Sequence, residues 1–242
     1  MPWLEEFKRG EGMDPPRPIV VEGVLPPWVL VRFWEGTKPG ITGARGRIWV
    51  VEDDPIELMD GLAQADLTEV IADARVTFVV GPGVAEKLRD QLGAKIELSM
   101  PGSHVSSRAM AGSAPATAGI AGGRGSAVVE AIRALHTTQE AEHRRLITEV
   151  NSIYAGRDRA WWARRYAHAT RPASDEPLRI LLPVSRYSTF VRHSASDVAE
   201  SLRAMGHEAR VLSEPDDASR LASIAYLREF ASWKPDLVVL IN

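Results

Sequence analysis

Residues 178–242 constrain the fold most, because apolar strand-like runs alternate there with helical segments at short spacing. RILLPV reads as a strand. Ser194 to Met205 reads as a helix, with Val198, Leu202 and Met205 on one face and Gly206 as its C′ stop. EARVL is the next strand, Asp217 to Trp233 the next helix, and DLVVLI the third strand. A β-α-β-α-β run of this kind builds the first half of a doubly wound parallel sheet. The closing PDLVVLIN either completes a small sheet or belongs to a longer protein, and the second is expected, since an inner strand rarely ends a chain.

Residues 19–105 alternate in the same way. Expected strands are Trp28–Trp34, Arg47–Val51, Val76–Val80 and Lys95–Ser99. Expected helices are Pro55–Ala65 and Val84–Leu92, with a short turn at Asp66–Ile71. Residues 106–126, SSRAMAGSAPATAGIAGGRGS, hold little that can pack and read as a flexible linker. Residues 127–177 read as a helical connector in which Leu146, Val150 and Ile153 form one apolar stripe. The fold class expected is α/β: two Rossmann-like parallel-sheet domains, 19–105 and 178–242, joined by an Ala/Gly-rich linker and a helical segment, behind a charged, Pro-rich leader at 1–18.

Totals narrow the function classes. A net charge of -3 over 242 residues is unlike a dedicated nucleic-acid binder. The absence of cysteine excludes disulfides, thiolate catalysis and cysteine-ligated metals, and fits a cytoplasmic chain. The six histidines are scattered with no HxxxH spacing, so no metal site is expected. No apolar run reaches the roughly 18 residues of a transmembrane helix.

At RIWVVEDDPIEL a buried strand ends in Glu52, Asp53 and Asp54. Three roles fit. VVEDDP is similar to the acidic pair that holds Mg²⁺ in response-regulator receivers, with Glu97 of KIELSMPG where the phosphorylated aspartate would sit; the hydroxyl-bearing and lysine strands of a receiver are missing. Alternatively Glu52 holds ribose hydroxyls at the end of the second strand of a nucleotide site. Its glycine loop would then be WEGTKPGITGARG, with Gly36 and Gly40 approaching the ligand, although no GxGxxG is present. In the third role Asp53 or Asp54 caps the helix that Pro55 opens.

Read together, the two halves carry a family resemblance. VVEDDPIELMDGLAQADLTEVIADARVTFVVGP resembles the N-terminal Rossmann-like domain of certain bacterial glycosyltransferases, including the Maf-like flagellin-modifying group. RILLPVSRYSTFVRHSASDVAESLRAMGHEARVLSEPDDASRLASIAYLREFASWKPDLVVLIN resembles the start of the GT-B-like part of CgeB-like proteins. The resemblance covers most of residues 47–92 and 178–242. It implies sugar transfer from a nucleotide-sugar donor to a glycan or protein acceptor. It also implies a second Rossmann domain that holds the donor diphosphate, so this chain would be an acceptor-side portion, inactive alone. The resemblance names no other cofactor, and an S-adenosylmethionine site at Glu52 is a third possibility.

Loops at the carboxyl ends of parallel strands face the ligand crevice. There Arg186 can steady an anionic diphosphate, Ser188 and Thr189 can bond sugar hydroxyls, and His193 can act as a base on an acceptor hydroxyl. Glu214 follows the second strand and either touches a ribose or acceptor or caps the next helix. Asn242 ends the third strand at the same crevice. RDRAWWARRYAH, with arginines between tryptophans, either grips a partner, such as another protein, or packs its rings on a domain and leaves the arginines in water. The rival function is a non-catalytic regulatory or binding module with a degenerate receiver-like or methyltransferase-like domain.

Overall fold

The computed structural model describes residues 17–37, 46–107, 118–119, 126–167 and 177–241. The leader up to residue 16, Gly40, Asn242 and most of the 106–126 linker lie outside the described residues. The chain divides into two compact units, residues 1–139 with 217–220 and residues 140–216 with 221–242.

The first unit begins with β1 (Ile19–Glu22), α1 (Pro27–Gly36), β2 (Ile48–Glu52), α2 (Pro55–Gln64) and α3 (Thr68–Ala72). It continues with β3 (Val76–Val80), α4 (Val84–Gly93), β4 (Ser103–Ser106) and the two-residue β5 (Ala118–Gly119). Its sheet runs β3-β2-β1-β4-β5, the first four strands parallel and β5 antiparallel to β4. Successive strand residues point to opposite faces, and both faces are covered. Ile19, Val21 and Val50 pack with Val29, Leu30, Phe33 and Trp34 of α1. Val20, Trp49 and Val51 pack with Leu88 and Leu92 of α4 and with Val128, Ile132 and Leu135. Double coverage explains why β2 is buried at every position.

This strand order corrects one expectation. In a receiver the acid-bearing strand lies between the strand that follows it and the phosphorylation strand; here the acid-bearing β2 lies between β3 and β1, in the Rossmann order β3-β2-β1-β4. Glu97 is not on a strand beside the acids: residues 94–97 are a turn after α4, Leu98 makes only an isolated bridge, and Gln139 Nε2 donates to the carbonyls of Ile96 and Leu98 at 2.8 and 2.9 Å. Those carbonyls bond a side chain, and the run adds no strand to the sheet. Trp28–Trp34 is likewise a helix and not a strand. Pro27 opens it at N1, and Val29, Leu30, Phe33 and Trp34 recur at helical spacing on its buried face. The actual first strand is the four-residue Ile19–Glu22 just upstream.

One helix, α5 (Ala127–Tyr154), is part of the first unit to Gln139 and of the second from Glu140. The second unit goes on with α6 (Arg159–Ala167), β6 (Arg179–Pro183), α7 (Thr189–Ala204), β7 (Glu208–Leu212), α8 (Ser223–Ser232) and β8 (Leu237–Val238). Its three strands are parallel in the order β7-β6-β8. Leu178, Ile180 and Leu182 pack with Ala199 and Leu202 of α7. Helix α7 starts at Thr189, earlier than expected, because the Ser188 side chain accepts the Val191 amide and caps it. Helix α8 starts later than expected, since residues 217–220 join the first unit, where the Arg220 carbonyl accepts the Ser99 amide at 2.8 Å. Among the described residues no helix is long and apolar enough to cross a membrane.

Candidate functional site

Glu52 stands where a ribose-binding acid would stand, at the carboxyl end of β2, but its side chain is turned inward. It is 1% exposed; Oε2 accepts the Val24 amide at 3.0 Å and Oε1 the Asp54 amide at 3.1 Å. Burial raises its pKa, and the two amide bonds only partly oppose that. Glu52 therefore braces the loop after β1 against the loop after β2. Gly61 of α2 closes on the same loop, since a Cβ there would meet Val24 Cγ1 at 2.7 Å. Asp54 caps α2, its Oδ1 accepting the Ile56 amide at 2.8 Å. Gly36 is the last residue of α1, and next to it the Thr37 carbonyl accepts from Arg75, the residue that precedes β3. Gly36 thus lies at the amino edge of the sheet, opposite to Glu52, and the two cannot share a ligand. The loop that does face Glu52 is Gly23–Pro26, which carries one glycine.

Beside this brace is a group that sequence reasoning missed. Glu22 ends β1, and its Oε2 lies 2.7 Å from His104 Nε2 of β4. Ser126, just before α5, places Oγ 2.9 Å from both Glu22 oxygens and accepts the Val128 amide at 3.1 Å. The available signal was the acid that closes PIVVE, legible only once PIVVE is taken as a strand.

At the amino edge, Arg47, Trp49, Lys95, Ser99 and Arg220 line a cavity of about 20 Å³. That is room for a single water and not for a ligand, although the buried Trp49 Nε1 there has no protein partner.

In the second unit the residues expected to bind ligand do gather at one edge. Glu214 is 9% exposed, and its Oε2 accepts the Arg186 amide at 2.7 Å. It does not cap α8, whose cap residue is Ala222. The Arg186 guanidinium reaches the Pro215 carbonyl at 3.4 Å. Ser188 caps α7, Thr189 is its first residue and exposed, and His193 is exposed one turn further on. Strands β7 and β8 flank β6, so the 184–188 loop sits at the switch point of this sheet.

The arginine–tryptophan stretch is half-buried: Trp161, Trp162, Arg165 and Tyr166 are partly covered, and Arg159 and Arg164 are exposed. The Arg157 guanidinium lies 4.5 Å from the Tyr154 ring centroid, 4.6 Å from Trp161 and 5.4 Å from Trp162. Its Nη1 is 3.6 Å from Asp236 Oδ1, and Arg165 donates to Asp236 Oδ2 at 2.8 Å. Tyr154 and Tyr166 donate to the carbonyls of Pro235 and Asp236 at 2.8 and 2.9 Å. These bonds tie α5 and α6 to the segment leading into β8. Among the described residues no cluster of His, Asp or Glu could hold a metal ion.

No protein-family model, curated protein or solved structure matches the chain.

Proposed function

We propose that the chain is the acceptor-side portion of a glycosyltransferase that moves a sugar from a nucleotide-sugar to a glycan or protein acceptor. The observation that carries this reading is the convergence of Arg186, Ser188, Thr189 and Glu214 at the switch point of the second sheet. Open α/β sheets take their ligands at such points. Sugar transfer needs a positioned acceptor hydroxyl and a stabilised leaving diphosphate. Ser188 and Thr189 serve the first need, with exposed His193 as the base on the hydroxyl. Arg186 supplies a cation for the second, and the rest of the diphosphate site belongs, on this reading, to a further Rossmann domain.

Thermal unfolding with UDP-, GDP-, CMP- and dTDP-sugars tests the reading, because a ligand that binds only the native state raises the Tm. The expected result is a rise with one donor class that Arg186→Ala abolishes. No rise with any of them, both for this chain and for one extended by the further domain, overturns it. The second reading is a binding module whose first unit is methyltransferase-like, favoured by the order β3-β2-β1-β4. A rise with S-adenosylmethionine alone would select it.

A further inference from the structure

We propose that the small cavity at the amino edge of the first sheet binds an inorganic anion of halide size. Arg47 enters its wall just before β2 and Ser99 on the way to β4. Lys95 comes from the turn after α4, and Ser219 and Arg220 come from the 217–220 segment. All of these residues belong to the first unit.

An unpartnered donor is the first argument. Trp49 of β2 forms part of the wall and is 5% exposed. Its buried Nε1–H has no hydrogen-bond partner in the protein. An indole nitrogen can only donate, and a buried donor without an acceptor costs stability. An acceptor seated in the cavity removes that cost.

The lining selects an anion over a water. A water that accepts from Trp49 must place two hydrogens of its own. The carbonyls of Pro18, Arg47, Leu92, Lys95, Leu98 and Arg220 already accept protein donors, at 2.8 to 3.0 Å. An anion needs no acceptor. Three of the lining side chains, Arg47, Lys95 and Arg220, are cations, and no lining residue is an acid. Arg47 Nη2 lies 3.4 Å from Ser219 Oγ, and Arg47, Ser219 and Arg220 hold further partners. Those partners share the guanidinium charges, and the indole N–H is the donor that remains. The carbonyl end of α4 lies beside the cavity, but its Leu92 carbonyl is occupied by the Lys95 amide at 3.0 Å. A volume of about 20 Å³ suits chloride or bromide, each little larger than a water, and excludes phosphate and sulfate. The bound ion ties the 217–220 segment to the entrance of β2. The site lies at the edge opposite to Glu52 and is independent of the nucleotide-sugar reading, which rests on the second unit.

Crystals of the full chain soaked in sodium bromide locate the ion by anomalous scattering, and the expected result is a peak against Trp49 Nε1. In solution, chloride replaces gluconate at constant ionic strength, so that screening is held fixed. The Tm should rise by about 2–4 °C and level off as the site fills. Trp49→Phe removes the N–H and should abolish the rise. Lys95→Gln alters an exposed side chain and should increase the chloride needed several-fold, which keeps the test open if Trp49→Phe does not fold. The proposal is overturned if no bromide lies against Trp49 Nε1, if the Tm is the same in chloride and in gluconate, or if Lys95→Gln responds to chloride as the wild type does.

Discussion

Glu52 crosses from the end of β2 to accept the Val24 amide at 3.0 Å, and so holds the loop that follows the first strand of its sheet. The second unit repeats the device: Glu214, two residues past β7, accepts the Arg186 amide at 2.7 Å in the loop that follows its own first strand. In both units a buried carboxylate from the second strand fixes the loop at the switch point. The backbone of each loop is held in shape by that bond.

Replacing Glu52 tests the brace. Glu52→Ala leaves the buried amide of Val24 and that of Asp54 without acceptors, at about 1–3 kcal/mol each. Urea denaturation should show a loss of about 2–6 kcal/mol with an unchanged m-value. The pH dependence has a defined sign. The folded pKa is raised above 4.5, so above pH 4.5 the folded chain binds more protons at Glu52 than the unfolded chain. Stability from this group therefore falls as pH rises through that window. Glu52→Gln removes the effect, so the stability difference between wild type and this variant should grow as the pH is lowered towards 4.5.

Arg75 is predicted to be the most sensitive charged position in the first unit. It is 2% exposed, donates to Asp73 at 2.8 Å and to the Trp34 carbonyl at 2.9 Å, and also bonds Thr37. Arg75→Met breaks a buried pair and should cost about 3–5 kcal/mol in chemical denaturation. Burial pushes the Asp73 pKa up, but bonds from Arg75 and Trp34 outweigh it and hold it below 3.8. Stability from Asp73 is thus complete above pH 3.8 and lost as the pH falls through its folded pKa, and Arg75→Met should flatten that acid limb.

The ring cage around Arg157 gives a third prediction. Arg157→Ala empties the space between Tyr154, Trp161 and Trp162 and should cost about 2 kcal/mol. Tryptophan emission should shift to the red as water reaches the rings. An unchanged spectrum and Tm would show that the cage does not hold α6 in place.

The Ser188 cap offers a milder test. Ser188→Ala should lose about 1 kcal/mol of stability, read as a small fall in Tm. Glu214→Ala frees the Arg186 amide, and under the proposed function it should weaken nucleotide-sugar binding more than Ser188→Ala does. Equal affinities in the two variants would separate the brace from ligand binding.

Sequence alone determined the elements whose own side chains set their period. The runs Val76–Val80, RILLP and EARVL form strands where their apolar, β-branched pattern lies, and Pro55 behind Asp54 starts α2 as capping chemistry requires. The α/β class followed from that alternation. Sequence did not separate WVLVRFW as helix from the same apolar run as strand, because seven residues satisfy both periods; the Pro26–Pro27 opening and the core against β1 decided it. Strand order was equally hidden, since parallel strands join through crossovers that the local pattern does not encode. Only the tertiary structure put β4 beside β1, and with it His104 and Ser126 on Glu22, residues 82 and 104 positions away. The same packing turned Glu52 inward and left Glu22 half-buried. An acid at a strand end meets backbone amides, as Glu52 does, or side chains, as Glu22 does, according to what the neighbouring elements bring within reach, and that is set by the fold and not by the residue.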